Sequence, residues 1–223
     1  MRKRLLRFAG KLLLWYLVIT VSWVIIYRLV PPPVTFLMAQ RLYEQFRDDR
    51  PLKLKKSWRS LKEISPYLPS AVMAAEDQRF MDHSGFDWEA MQRAYRHNKN
   101  GRRVRGGSTI TQQVAKNVFL WPGRSYIRKG FEAYFAVLIE LFWGKKRIME
   151  VYLNVAEMGI GVYGAEAASW YYFNRPASEL NRHQAALIAA ILPNPTKYPV
   201  RNPGPYVRSR QGQILRYMRP VEF

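Results

Sequence analysis

One stretch near the N-terminus limits what this chain can fold into. Residues 12–27 contain no charged side chain, and the apolar stretch continues past Arg28 to residue 30. A helix of that length approaches the ~30 Å hydrocarbon core of a bilayer, and Arg28 lies close enough to its end to reach the interface. Trp and Tyr residues near its ends are typical of membrane interfaces. The sequence therefore predicts a single transmembrane helix at residues 12–30.

The charges around this stretch predict its orientation. Residues 1–11 hold five Lys or Arg side chains and no acid. By the positive-inside rule, this basic N-terminus lies in the cytoplasm and everything after residue 30 lies outside. The alternatives are a cleaved signal peptide and a buried core helix. Pro31–Pro33 stand where a signal peptide would have small residues, and a helix apolar on every side needs a large protein to cover it, so the membrane anchor is favoured.

The net charge narrows the choice of partner. The 223 residues carry 36 basic and 16 acidic side chains, a formal charge of +20, which indicates an anionic partner: nucleic acid, a lipid surface or a phosphorylated substrate. Six basic residues precede Pro31, which leaves 30 basic and 16 acidic residues, or +14, for the rest. Because that part is expected outside the cytoplasm, nucleic acid is the least favoured partner. Cysteine is absent, which excludes disulfides and thiolate sites, and three histidines argue against a multi-histidine metal centre.

After the anchor, the apolar pattern predicts a linker at residues 31–54 and one mainly helical domain at residues 55–223. A short helix is predicted at 36–46 and an edge strand at 52–56. Helical periodicity then covers residues 71–80, 88–98, 109–117, 126–143, 147–156, 164–172, 183–192 and 206–218. Gly and Pro predict loops between them, including one at residues 159–164. In the helix at 126–143, five side chains are predicted to form a core-facing stripe: Ile127, Phe131, Phe135, Leu138 and Phe142.

Four blocks in this domain are candidates for chemistry, and the first contains Glu76. This residue ends an apolar helical run, where partial desolvation and the helix dipole both disfavour an ionised carboxylate, as suits a proton-transfer group. The alternative is a solvated acid paired with Arg79 three residues later. His83 in the same block is, by itself, as compatible with a structural role.

The second block surrounds a predicted helix start after Gly106 and Gly107. Thr109 and Gln112 fit a capping box. Free backbone amides beside hydroxyl groups could cradle a phosphate, with Lys116 adding a charge. A plain capped helix is the alternative.

The third and fourth blocks lie at two further helix starts. Arg128 and Lys129 are one turn from Glu132, so they form either a surface ion pair or a cationic site for a diphosphate with a second carboxylate. The fourth block, residues 145–154, fits a solvated helix with a basic end. Between the first two blocks, residues 93–105 hold six Lys or Arg, one His and no acid, which suits either an anionic membrane surface or a solvated loop.

The four blocks occur together in one order. They read Glu76-Asp-x-x-Phe80-x-x-His83-x-Gly85, Gly107-Ser-Thr-x-Thr-Gln-Gln113, Arg128-Lys-x-x-Glu132 and Lys145-x-x-Ile148-x-Glu150-x-Tyr-Leu-Asn154. In this order and spacing the chain resembles the peptidoglycan glycosyltransferase family, enzymes that polymerise lipid II into glycan strands. The stretch Gly164-Ala-Glu-Ala-Ala168 leading to Tyr172-Phe173 adds to the resemblance, which covers about residues 55–200. Since the sequence ends at Phe223, it is the monofunctional kind, without a transpeptidase domain, that the chain resembles.

The resemblance implies a mainly α, lysozyme-like fold with a membrane-contacting subdomain near the second block. It implies that Glu76 is the general base and that Glu132 assists at the diphosphate. Lys116, Arg128 and Lys129 would hold that diphosphate, while Ser108, Thr109 and Gln112 position the donor. The remaining motif residues carried over as substrate-binding are Asp77, Arg79, His83, Gly107, Thr111, Gln113 and Glu150. The resemblance makes no cofactor certain, and a divalent cation, Mg or Mn, beside Glu132 stays open.

The implied partners are lipid II, the growing glycan chain and membrane lipids, with no nucleic acid; proteins of cell division or elongation stay open. The implied location is the bacterial inner membrane, with the catalytic domain in the periplasm. Two other functions remain. A lytic muramidase could use the same helical scaffold and paired acids. A membrane-tethered basic scaffold could bind anionic lipid or polymer without catalysis.

Overall fold

The computed structural model describes residues 2–99, 101, 106–123 and 125–223. In this part of the chain the fold is mainly helical, as predicted. The helices are α1 (Arg2–Leu29), α2 (Phe36–Arg47), α3 (Tyr67–Glu76), α4 (Trp88–Lys99), α5 (Ile110–Phe119), α6 (Tyr126–Phe142), α7 (Lys145–Val155), α8 (Ala165–Phe173), α9 (Arg182–Ile191) and α10 (Pro205–Tyr217). The strands are β1 (Lys55–Lys56), β2 (Glu157–Gly159) and β3 (Val162–Tyr163), and short 3-10 helices cover Leu61–Glu63 and Ala177–Glu179.

The N-terminal helix α1 is long enough and apolar enough to cross a membrane. Its first half is exposed, whereas its second half packs along α6. Hydrogen bonds also fix this second half to the domain: for example, Trp143 Nε1 donates to the carbonyl of Val24 at 2.9 Å, and Arg147 Nη2 donates to the carbonyl of Tyr27 at 2.9 Å. The anchor is therefore joined to the domain by packing as well as by the linker.

The core of the domain is built on α7. Seven of its eleven residues are buried, so α7 is covered on most of its surface, by α5 on one side and α8 on another. Beside it, α3, α9 and α10 pack on one another. The contact face of α9 contains Ala185, Ala186, Ala189 and Ala190, all buried, and these small side chains let the neighbouring helices approach closely.

A three-stranded sheet in the order β1-β3-β2 lies against α8. Strand β1 is parallel to β3, and β2 is antiparallel to β3 with an irregular register. The sequence predicted a strand at 52–56, of which only Lys55–Lys56 pair, and assigned residues 159–164 to a loop, which was wrong for Val162–Tyr163. These strands of two or three residues are too short to show alternation. After β3, Gly164 has φ +83° and lies against the backbone of Asn154, so no side chain fits there.

Two helix predictions need correction. Helix α3 begins at Tyr67 rather than 71, because Pro69 falls in the first turn, where its missing N–H is not needed. The same helix ends at Glu76 rather than 80, because Asp77 leaves helical geometry. In α6 the predicted stripe is wrong for Ile127, which is 73% exposed, while Phe135 is buried. The interior side of α6 instead includes a charged residue, Glu132.

Candidate active site

The carboxylate of Glu76 lies at the C-terminal end of α3, with its side chain 15% exposed. Gln113 Nε2 donates to Oε2 at 3.1 Å, and Arg210 Nη2 lies 3.5 Å from Oε1. The alternative pairing of Glu76 with Arg79 is wrong, because Arg79 pairs with Glu89 at 2.5 Å. Gln113 and Arg210 thus each place a donor group beside one oxygen of this carboxylate.

A buried chain of hydrogen bonds orients this carboxylate. The hydroxyl of Tyr152, from α7, donates to Gln113 Oε1 at 3.3 Å, and the amide of Gln113 donates onward to Glu76. Burial raises the pKa of Tyr152 well above its usual value, and the charges of nearby acids add to this, so the phenol keeps its proton. The helix at the centre of the domain thus determines which way Gln113 faces.

Asp77 and His83 lie beneath the site rather than facing solvent. His83 Nε2 and the Asp77 carboxylate are 2.9 Å apart, and the backbone N–H of Ile110 donates to Asp77 Oδ2 at 3.0 Å. Burial raises the pKa of Asp77, while the bonds from His83 and Ile110 lower it. These contacts connect the end of α3 to the beginning of α5. The described contacts of the pair are structural ones.

The start of α5 carries the capping box that the sequence predicted. Thr109 Oγ1 accepts from the N–H of Gln112, and the Gln112 side chain accepts from the N–H of Thr109, so both side chains are buried. Thr111 is also buried and donates to Glu140 Oε1 at 2.6 Å. Gly107 lies against Met91 in α4. Of this block, Ser108 is exposed and free to meet a ligand, while its neighbours fix the helix.

A cationic cluster faces Ser108 from α6. Lys129 Nζ pairs with Glu132 and donates to Ser108 Oγ at 3.3 Å, and Arg128 Nη1 lies 3.8 Å from Glu132. Glu132 itself is 3% exposed. Lys116 on α5 is near enough to interact electrostatically with this group and with Glu76. Lys116 therefore connects the candidate base electrostatically to a cluster of two further cations and a buried acid.

Burial and several neighbouring charges act on the pKa of Lys116. Burial lowers its pKa, the negative charge of Glu132 raises it, and the charges of Arg128 and Lys129 lower it again. Cations packed this closely suit a ligand with more than one negative charge, since each lysine or arginine is stabilised when the ligand arrives.

The cluster does not offer a metal site made of protein ligands alone. The carboxylate of Glu132 already contacts two cations, and no group of three His, Asp or Glu side chains suited to a metal occurs among residues 2–99, 101, 106–123 and 125–223. A divalent cation beside Glu132 would have to displace Lys129.

The fourth block supports the site from behind. Lys145 Nζ donates to Glu140 at 2.7 Å and to the carbonyl of His83 at 2.5 Å, which holds the loop after α3. Glu150, predicted to bind substrate, accepts from the N–H of Leu61 at 2.9 Å and pairs with Arg147. Its described contacts are structural.

The basic segment 93–105 is only partly within the described residues. Arg93, Arg96 and Lys99 lie on α4, and Arg93 pairs with Glu89 at 3.3 Å. Arg102, Arg103 and Arg105 lie outside the described residues. On α4 the side chains of Trp88 and Tyr95 are exposed, so this helix presents aromatic and basic groups together.

The structure thus divides the predicted site residues into two groups. Those at the candidate base or in the cluster that faces Ser108 are Glu76, Ser108, Gln113, Lys116, Arg128, Lys129 and Glu132; those whose described contacts lie elsewhere in the domain are Asp77, Arg79, His83, Gly107, Thr109, Thr111, Gln112 and Glu150. Sequence reasoning missed Arg210 and the orienting role of Tyr152. Nothing in the local sequence of α10 distinguishes Arg210 from the other arginines of that helix.

Comparison with known proteins gives a consistent result. Residues 42–219 match the model of the family described as "Transglycosylase". A protein of Caulobacter vibrioides named "Biosynthetic peptidoglycan transglycosylase" is 55% identical over 95% of this chain and 90% of its own length. Proteins with the same name from Bacteroides thetaiotaomicron and Pseudomonas aeruginosa are 51% and 49% identical, over 98% of this chain and 88% and 94% of their own lengths.

Proposed function

The chain belongs to the transglycosylase family and is a peptidoglycan transglycosylase, and from this premise we propose that it polymerises lipid II into linear β-1,4 glycan strands. The growing chain, linked through a diphosphate to a polyprenyl lipid, is the donor, and the 4-hydroxyl of an incoming lipid II is the acceptor. The observation that carries the proposal is the position of Lys116, which interacts electrostatically with Glu76 and with the cationic group on α6.

In the proposed reaction Glu76 is the general base. Its carboxylate accepts the proton of the acceptor's 4-hydroxyl while that oxygen bonds to C1 of the donor N-acetylmuramic acid. The bond from C1 to the diphosphate oxygen breaks in the same displacement, so an α-linked donor becomes a β-1,4 product. General-base assistance of this kind contributes roughly 10² to 10⁴ in rate.

The leaving diphosphate is assigned to the cationic group. Negative charge builds up on the leaving oxygen as the bond to C1 breaks, and prearranged cations stabilise it there. Lys116 and Lys129 reach it as point charges, and Arg128 as a planar donor group. Glu132 is buried between Arg128 and Lys129, so its part is to hold these two side chains in place.

The proposed location is the cell envelope, with α1 crossing the membrane and the domain outside the cytoplasm. The five basic residues before Leu12 support a cytoplasmic N-terminus. Exposed apolar side chains on and before α6, among them Trp121, Ile127, Val137 and Leu141, support contact between the domain and membrane lipids. A lipid-linked substrate would then reach the cationic group from the bilayer surface.

A test uses Glu76→Gln, which keeps the size of the side chain and removes the base. We expect glycan formation from lipid II to be nearly abolished while the thermal unfolding midpoint stays close to that of the wild type. Glu222→Gln, which changes an exposed acid, is the control and should polymerise normally. Wild-type amounts of product from Glu76→Gln would refute the assignment. Cleavage of finished glycan by the wild type would instead favour the muramidase, which has no need of a diphosphate site.

A further inference from the structure

We propose that Arg210 is a positioning residue for the catalytic base, and that the C-terminal helix α10 is therefore part of the active site. The proposal rests on the function proposed for Glu76. It concerns a residue outside the four sequence blocks, 134 positions away along the chain.

The guanidinium of Arg210 contacts two consecutive residues at the end of α3. Nη2 donates to the carbonyl of Ala75 at 3.1 Å and lies 3.5 Å from Glu76 Oε1. The last carbonyls of a helix lack partners within the helix. Here the N–H of Asp77 donates to the carbonyl of Met73, and the Gln78 side chain donates to the carbonyl of Ala74. The carbonyl of Ala75 accepts from Arg210. One arginine thus completes the helix end and neutralises the acid on it.

The position of Arg210 on α10 explains why this contact is well defined. Val207 and Ile214 are buried and lie three residues before and four residues after it, so Arg210 is on the face of α10 that packs against α3 and α9. An arginine within an apolar contact face needs an anionic partner to offset the cost of removing its charge from water. The described acid that pairs with it is Glu76.

Two oxygens of Glu76 then have two different partners. Gln113 holds Oε2 from the α5 side and Arg210 holds Oε1 from the α10 side, which fixes the plane of the carboxylate. The guanidinium also places a positive charge beside the carboxylate, and a nearby positive charge favours the charged form of an acid. Without Arg210 the carboxylate would rotate more freely and would lose that charge.

The experiment measures kcat and KM for lipid II polymerisation against pH with the full chain and three substitutions. Arg210→Ala removes the side chain, Arg210→Gln keeps a hydrogen-bond donor without the charge, and Arg210→Lys keeps the charge. The control is Arg216→Ala, which removes an exposed arginine of the same helix. Thermal midpoints of all variants report on folding.

We expect the Ala and Gln substitutions to move the acidic limb of the kcat profile upward by about one pH unit, with KM little changed. At a pH below this limb, kcat of the Ala and Gln variants should be about tenfold lower than that of the wild type, because a shift of one unit changes the ionised fraction about tenfold. Arg210→Lys should keep the limb near its wild-type position, and Arg216→Ala should change nothing.

A uniform loss of activity with an unmoved limb in Arg210→Gln would overturn the proposal, because it would indicate a structural role alone. An unmoved limb with full activity would overturn it as well. If Arg210→Ala does not fold, the Gln and Lys variants still decide the question. The proposed function fails separately, when the wild type itself makes no glycan from lipid II.

Discussion

The two long sides of α6 are built from opposite chemistry. On one side Arg128, Lys129 and Glu132 form the cationic group beside Ser108 and Lys116. On the other, Phe131 and Tyr134 meet the membrane-anchor helix α1 in ring contacts of 6.3 and 5.8 Å with Tyr16. The first side is specified by charge and the second by aromatic packing, although both belong to the same 17-residue helix.

The comparison indicates how the cationic side is kept in place. Like charges repel, so the ion pairs with Glu132 alone do not set the geometry of three neighbouring cations. Aromatic packing provides that geometry: Phe135, which follows Arg128 by two turns on the same side of α6, stacks on Phe119 of α5 at 4.7 Å and meets Trp23 of α1 at 6.4 Å. Packing against α5 and α1 therefore fixes the position of α6, and the cations extend from this helix.

The largest expected effect is a loss of stability when the packing of Phe135 is removed. Phe135→Ala removes a buried ring that contacts both α5 and α1, and we expect it to cost about 3–5 kcal/mol of unfolding free energy. For a chain of this size, that corresponds to a fall of about 10 °C in the thermal midpoint. Tyr126→Ala is the control on the same helix, because that side chain is 97% exposed and should be close to neutral. A loss of unfolding free energy below about 1 kcal/mol in Phe135→Ala would show that the position of α6 does not depend on this aromatic packing.

A smaller effect is expected from the cationic side, and in a different measurement. Lys129→Ala should raise the apparent KM for the lipid-linked donor about tenfold, since a hydrogen bond from a charged group is worth roughly 1.5–3 kcal/mol. The thermal midpoint should hardly move, because half of this side chain is in solvent. Lys146→Ala, at an exposed lysine of α7, serves for comparison. An unchanged donor affinity would support the surface ion pair that the sequence left open.

The same contrast explains what could be predicted from the sequence. Local signals were sufficient where one segment determines its own structure: the Thr109–Gln112 capping box and the helical periodicity of α6 were both confirmed. Burial of the hydroxyl of Thr111 could not be predicted, because its partner Glu140 lies on another helix. The exposure of Ile127 was missed because periodicity predicts which side of a helix is apolar, but not how much of the helix length is covered by neighbouring elements.

The site shows the same limit more strongly. Glu76 and the α6 cations stood out because motif order reveals them, whereas Arg210 lies in a helix with three arginines of similar local context. Only the packing of α10 against α3 brings one of them to the end of α3. Contacts between distant segments depend on the crossing of helices, which a single sequence does not encode locally.

The smallest expected effect tests whether α1 and α6 also recognise each other through a polar contact. Thr20 Oγ1 and the Tyr134 hydroxyl are 2.6 Å apart, beside the ring contacts of Tyr16 with Phe131 and Tyr134. We expect a double-mutant cycle of Thr20→Val and Tyr134→Phe to give a coupling free energy of about 0.6 kcal/mol, within the usual range for the net contribution of a hydrogen bond. The measurement is unfolding of the full chain in detergent for the wild type, both single variants and the double variant.

Polymerisation by these variants completes the comparison. If the aromatic packing alone places the cations, the loss of one hydrogen bond should leave the KM for the donor within the error of the wild type, even where the coupling is measurable. Additive single effects would show that Thr20 bonds only to its own helix, where Tyr16 O lies 2.9 Å away. A rise in KM for the donor from Thr20→Val, 109 positions along the chain from Lys129, would instead show that the two sides of α6 are energetically linked.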